Sequence, residues 1–189
     1  MRFIKNKQDK RFRDTEQKIN RAFISFLYRG DHHVYIEELC TEAQIFVSTF
    51  YNHYPNTGVV LEIIEQNLQK EFLQSIANTN STEAIIRRLL IFISKNQDYF
   101  LMSIQRHNYQ WLSMILKILQ PNLTANWYTR AQRLKDYRFL LLSGEIIATI
   151  TDWGQQNCFD VKNVSIIQRR LQKLISTAEF RFRQLDKIK

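Results

Sequence analysis

The sequence predicts an all-α protein, and three observations carry that prediction. Its 189 residues include only 4 glycines and 2 prolines. Sheet proteins need turn residues every several positions, so this scarcity selects long helices joined by few turns. Apolar residues recur three and four positions apart in one segment after another, the period of a helix buried on one side. The chain is also long enough to bury a core without disulfides or metals. The aromatic share, 13%, is high for a helical protein and points to broad interfaces, a ring-lined cavity, or both.

Residues 1–13 read as a basic arm containing Arg2, Lys5, Lys7, Lys10, Arg11 and Arg13. Asp14 or Thr15 is the expected cap of the first helix, whose apolar face is Ile19, Ala22, Phe23, Phe26 and Leu27. Gly30 suits a left-handed cap at its end. A second helix starts near Tyr35 and buries Ile36, Leu39, Cys40 and Ala43. A turn of Gln44, Ile45 and Phe46 leads into a short helix from about Val47 to His53, which Pro55 stops. From Thr57 a long helix carries Val60, Leu61, Ile64, Leu68, Phe72 and Ile76 at helical spacing. The polar run 78–82 is a loop, with Ser81 or Thr82 as the next cap and Glu83 in the first turn. Ile85, Ile86, Leu89, Leu90, Phe92 and Ile93 cover so wide an arc that their helix is expected to be central. Asp98 is the expected cap of a helix with Tyr99, Phe100, Met102 and Ile104. The spacing predicts a further helix over 108–119, ended by Pro121, and a piece over 123–133 carrying Trp127 and Tyr128. Two long helices, 137–156 and 161–185, flank a loop at 157–160.

The net charge is +9. Residues 1–29 hold nine Lys/Arg against three Asp/Glu, and residues 160–189 hold eight against three. Such a balance favours phosphate polymers or anionic surfaces, although the C-terminal share reads equally well as a solvated face. No apolar run approaches ~18 residues, and the opening residues form no secretory core. A soluble, cytoplasmic protein without membrane contact is expected. Cys40 fits a core position and Cys158 a loop, so no disulfide framework arises. The chain lacks G-x-S-x-G, H-E-x-x-H, C-x-x-C and a phosphate-cradling glycine loop. His32 and His33 with Glu37 offer metal-ligand types but no clear third ligand, and read as an exposed polar pair. Neither catalysis, a metal nor a cofactor is expected.

The most informative stretch is 35–54, YIEELCTEAQIFVSTFYNHY. Its second helix has little core-forming pattern and almost no charge. It offers Ser48, Thr49, Tyr51, Asn52 and His53, groups suited to a phosphate backbone and to base edges. In a helix-turn-helix the first helix braces the second, which enters the major groove. Ile45 would lock the turn, and the small Ala43 would let the helices approach. Thr49, Tyr51 and His53 suit phosphate oxygens. Val47, Ser48 and Asn52 suit base edges, through methyl, hydroxyl and amide. Arg11, Arg13 and Tyr35 complete the candidate DNA-binding set. The competing reading is an ordinary helical hairpin with a polar surface.

The residues Leu39-Cys40-Thr41-Glu42-Ala43, then Ile45, Thr49-Phe50-Tyr51-Asn52-His53-Tyr54 and Val59-Val60-Leu61 resemble the TetR family of transcriptional regulators over about 50 N-terminal residues. The run Leu140-Leu141-Leu142-Ser143-Gly144-Glu145-Ile146-Ile147, followed by Asp152-Trp153, is similar to the penultimate helix of one subgroup. The resemblance implies an N-terminal three-helix helix-turn-helix domain, 1–56, and a C-terminal helical ligand-binding and dimerisation domain, 57–189. It implies a homodimer built through the last two helices, acting as a repressor on double-stranded DNA with a palindromic operator. It also implies a small hydrophobic or aromatic effector, for which Phe92, Tyr99, Phe100, His107, Trp111, Trp127 and Tyr128 are the candidates, and which would couple to the spacing of the two recognition helices. The chain departs from the family where Gln44 replaces a turn glycine, Phe46 a polar cap, and Thr57-Gly58 a phosphate-binding lysine. The missing cap costs about 1 kcal/mol. These departures motivate an alternative, a protein of the same fold that has lost operator binding and acts as a coregulator through protein contacts.

Overall fold

The computed structural model describes residues 10–31, 33–79, 81–125 and 132–185. The protein is all-helical, with 82% helix and no strand among the described residues. The elements are α1 (Lys10–Tyr28), α2 (Ile36–Glu42), α3 (Val47–Phe50), α4 (Val60–Ile76), α5 (Thr82–Lys95), α6 (Gln97–Gln105), α7 (Gln110–Leu123), α8 (Gln132–Asn157) and α9 (Val164–Leu185). Single 3-10 turns at Thr57–Val59 and Val161–Asn163 lead into α4 and α9. The chain divides into two compact units, 1–70 and 71–189.

In the first unit α1 buries Ile19, Ala22, Phe23, Ile24 and Leu27. It begins earlier than its composition suggests. Asp14 and Thr15 lie within it rather than capping it, and the Thr15 hydroxyl donates to the Arg11 carbonyl at 2.9 Å. Lys10, Arg11 and Arg13 are therefore helical, whereas Arg2, Lys5 and Lys7 of the expected arm lie outside the described residues. Gly30 closes α1 at φ 95°. Its N–H donates to the Leu27 carbonyl and that of Asp31 to the Phe26 carbonyl. This doubly bonded left-handed cap satisfies carbonyls that the helix end leaves free. Leu39, Cys40, Ala43, Val60, Ile64 and Leu68 are buried, and Ile36 and Ile45 half-buried.

In the second unit all six apolar residues expected along α5 are buried, and α5 packs on α9 and α6. The Ser81 hydroxyl caps α5 by accepting from the Ala84 N–H. Asn96, not Asp98, occupies the cap position of α6; Asp98 lies in the first turn, where its charge suits the helix dipole. Pro121 does not end α7, which continues to Leu123. A proline inside a helix costs about 3 kcal/mol, but Leu119, Leu123 and Thr124 are all buried here, and their burial holds the last turn in place. α8 packs on α9, α7 and α6. Gly154 makes one close approach possible: a Cβ there would fall 2.5 Å from the Phe159 ring and 2.6 Å from the Ile104 Cδ1.

Candidate nucleic-acid interface

The turn from α2 to α3 repeats the cap seen at Gly30, without a glycine. Gln44 has φ 55°. Its N–H donates to the Thr41 carbonyl at 3.1 Å, and the Ile45 N–H donates to that of Cys40 at 2.9 Å. A side chain in this left-handed region costs about 1 kcal/mol. Around the turn, Ala43 is buried, and Arg29 joins α1 to α2 by lying over the Phe26 ring and pairing with Glu42 at 3.8 Å. Burial, and secondarily the Glu37 charge, push the Cys40 thiol up, so it is a packing residue and not a nucleophile.

α3 is barely one turn, extended by further turns through His53, whose N–H donates to the Phe50 carbonyl at 2.8 Å. Such a helix cannot persist alone. Two rings hold it. Phe50 and Tyr54 are buried, with centroids 5.7 Å apart. The Tyr54 hydroxyl donates to Asn20 Oδ1 on α1 at 2.6 Å. Burial, reinforced by the charge of Glu16, pushes the Tyr54 phenol far above its usual range, so this donor keeps its proton.

With those two residues turned inward, the others face out. Val47, Ser48, Tyr51 and Asn52 are exposed, and Thr49 is half-buried. Tyr51 is 56% exposed and Tyr35, at the start of α2, 64%. Arg11 and Arg13 are exposed on the first turn of α1. His53 differs from the others: its ring stacks on Phe12 at 3.9 Å, and its Nδ1 is buried with no hydrogen-bond partner among the described residues. Burial lowers its pKa. Phe46, a departure from the polar cap in the sequence, stands outside the candidate set. It takes the cap position of α3, makes no side-chain bond to the helix, and is 82% exposed. The signal was its mismatch with a position that favours Ser, Thr, Asp or Asn.

The candidates for an effector site separate into three groups. Phe92, Phe100 and Trp111 come together with Phe72: Phe92 stacks on Trp111 at 5.8 Å, Phe100 meets Trp111 edge-on at 5.2 Å, and Tyr99 meets Phe100 at 5.1 Å. All are buried. Inside this cluster the Trp111 indole N–H has no hydrogen-bond partner among the described residues. His107 is instead exposed, at φ 52°, where it closes α6 with the same bonds as Gly30. Trp127 and Tyr128 lie outside the described residues.

Along α8 and α9, Ile150, Ile167 and Leu171 are buried, while Tyr137, Leu140, Leu141, Ile166 and Phe180 are exposed. A groove of about 640 Å³ runs there, lined by Leu141, Leu174, Ala178 and Phe182 beside Arg170 and Lys173. Among the described residues no helix is long and apolar enough to cross a membrane, and no three His, Cys, Asp or Glu side chains gather as metal ligands. Neither a family model, a curated protein nor a solved structure matches the chain.

Proposed function

We propose that the protein is a TetR-like DNA-binding regulator that acts as a dimer on a two-fold site, as a repressor released by a small hydrophobic ligand. The observation that carries this reading is the α3 segment. Phe50 and Tyr54 fasten it from beneath, leaving Val47, Ser48, Tyr51 and Asn52 to the outside. A helix-turn-helix needs this division between bracing and reading residues.

Pairing draws support from α8. Gly144 sits inside that helix with nothing within 4 Å of where a Cβ would stand. A helical glycine costs about 1 kcal/mol relative to alanine, and no neighbour among the described residues accounts for it. A second copy approaching Leu140, Leu141 and Gly144 would account for both the apolar exposure and the missing side chain. The unpartnered Trp111 N–H supports an effector, because a ligand acceptor would satisfy a donor that is costly to leave buried.

Binding to the DNA upstream of its own gene, measured across a salt series, tests the proposal. Several phosphate contacts predict affinity falling steeply with salt. Tyr51→Phe removes one hydroxyl donor and is expected to weaken binding about tenfold, with helical content and mass unchanged. Absence of salt-sensitive binding, or indifference to Tyr51→Phe, overturns the assignment of α3. The coregulator reading takes its support from the exposed Phe46 ring, which a protein surface would also cover.

A further inference from the structure

We propose that the outward face of α3 reads A·T pairs in a major groove, with Phe46 packed on a thymine 5-methyl group. The inference rests on the DNA-binding reading above and names what that site selects. Phenylalanine gives the fold nothing at position 46. It supplies no cap bond, and its ring remains 82% exposed. Val47 beside it is exposed as well.

The chemistry around these two side chains is narrow. From Ala43 to Leu61 there is no Asp, Glu, Lys or Arg. Without Arg or Lys, the segment lacks the donor that pairs with guanine O6 and N7. Without Asp or Glu, it lacks the carboxylate that pairs with the cytosine amino group. Between Gln44 and Asn52 the exposed side chains are Phe46 and Val47, the Ser48 and Tyr51 hydroxyls and the Gln44 and Asn52 amides. Thymine is the base that presents a methyl group in the major groove, and an amide pairs bidentately with adenine. The groove edge also supplies an acceptor, thymine O4, next to the methyl. A protein surface over Phe46 would cover the ring but would have to satisfy Ser48 and Asn52 within the same contact, so a duplex is the better fit.

The test selects duplexes from a randomised pool with the full-length protein, then remakes a selected duplex with uracil in place of thymine, one position at a time. Uracil lacks only the methyl. The expected result is half-sites containing A·T pairs, with one thymine whose replacement weakens wild-type binding about fourfold, the equivalent of one buried methyl group. Phe46→Ala is expected to lose that penalty. Phe46→Ser, which restores a cap and so keeps α3 formed, is expected to lose it too. Selected sites without thymine, or a uracil penalty unchanged in both variants, overturn the inference while DNA binding stands. Failure to enrich any duplex overturns the DNA-binding reading, and this inference with it.

Discussion

Aromatic rings do opposite work in the cluster around Trp111 and in the stretch from α2 to α3. In residues 71–189, Phe72, Phe92, Phe100 and Trp111 close on one another away from water. In residues 1–70, Phe50 and Tyr54 are buried, but Tyr35, Phe46 and Tyr51 remain in solvent within one short stretch. The inward rings answer to the volume they fill. The outward rings are held by little in the chain itself, Tyr51 touching the Phe50 ring edge-on at 5.7 Å, so packing constrains their identity less. A ring's position in a helical pattern does not separate the two kinds; its neighbours in space do.

Substitution of the rings gives the largest contrast. Trp111→Ala is expected to cost about 3–5 kcal/mol in urea unfolding, from lost burial and the cavity left behind. Phe46→Ala is expected to stay within about 0.5 kcal/mol of wild type. Equal losses at both positions would erase the distinction between the two regions. A smaller effect sharpens it within the first unit, where the two caps share one geometry but not one residue. Gln44→Gly is expected to raise stability by roughly 0.5–1 kcal/mol, because glycine accepts the left-handed region without a Cβ penalty but loses more freedom on folding.

The smallest expected effect is a pH dependence at His53. Burial lowers its pKa from the usual 6.5. As pH falls below that value, the unfolded chain takes up a proton that the folded protein resists, so stability declines between the ordinary and the lowered pKa. Above the ordinary value the contribution is fully present. A shift of the urea midpoint between pH 7.5 and about 5.5 that is reduced in His53→Gln checks the sign, and an identical shift in both proteins removes His53 as its source.

Much of the helical framework was legible because it depends on periodicity and local caps. The apolar face of α1, the caps at Gly30 and Ser81, the central position of α5 and the break after α8 follow from residue spacing and turn chemistry. What was not legible depends on long-range packing. Pro121 reads as a stop until Leu123 and Thr124 are seen buried beyond it. His53 reads as a surface donor until Phe12, forty-one positions earlier in the chain, is found stacked on its ring. The exposure of Val47, Ser48, Tyr51 and Asn52 was legible, since a short segment without charge or core pattern leaves such side chains to solvent. Phe46 was not, because an apolar residue in a polar place looks like a defect until its exposure is known.

The bond from Tyr54 to Asn20 gives the short α3 segment a fate that is not its own. One turn of helix has no order to lose independently, so α3 keeps its shape only while α1 keeps the surface beneath it. Amide protons at Tyr51 and Asn52 should therefore exchange at the pace set by the opening of α1, and whatever loosens that long helix would disarm the segment without touching it.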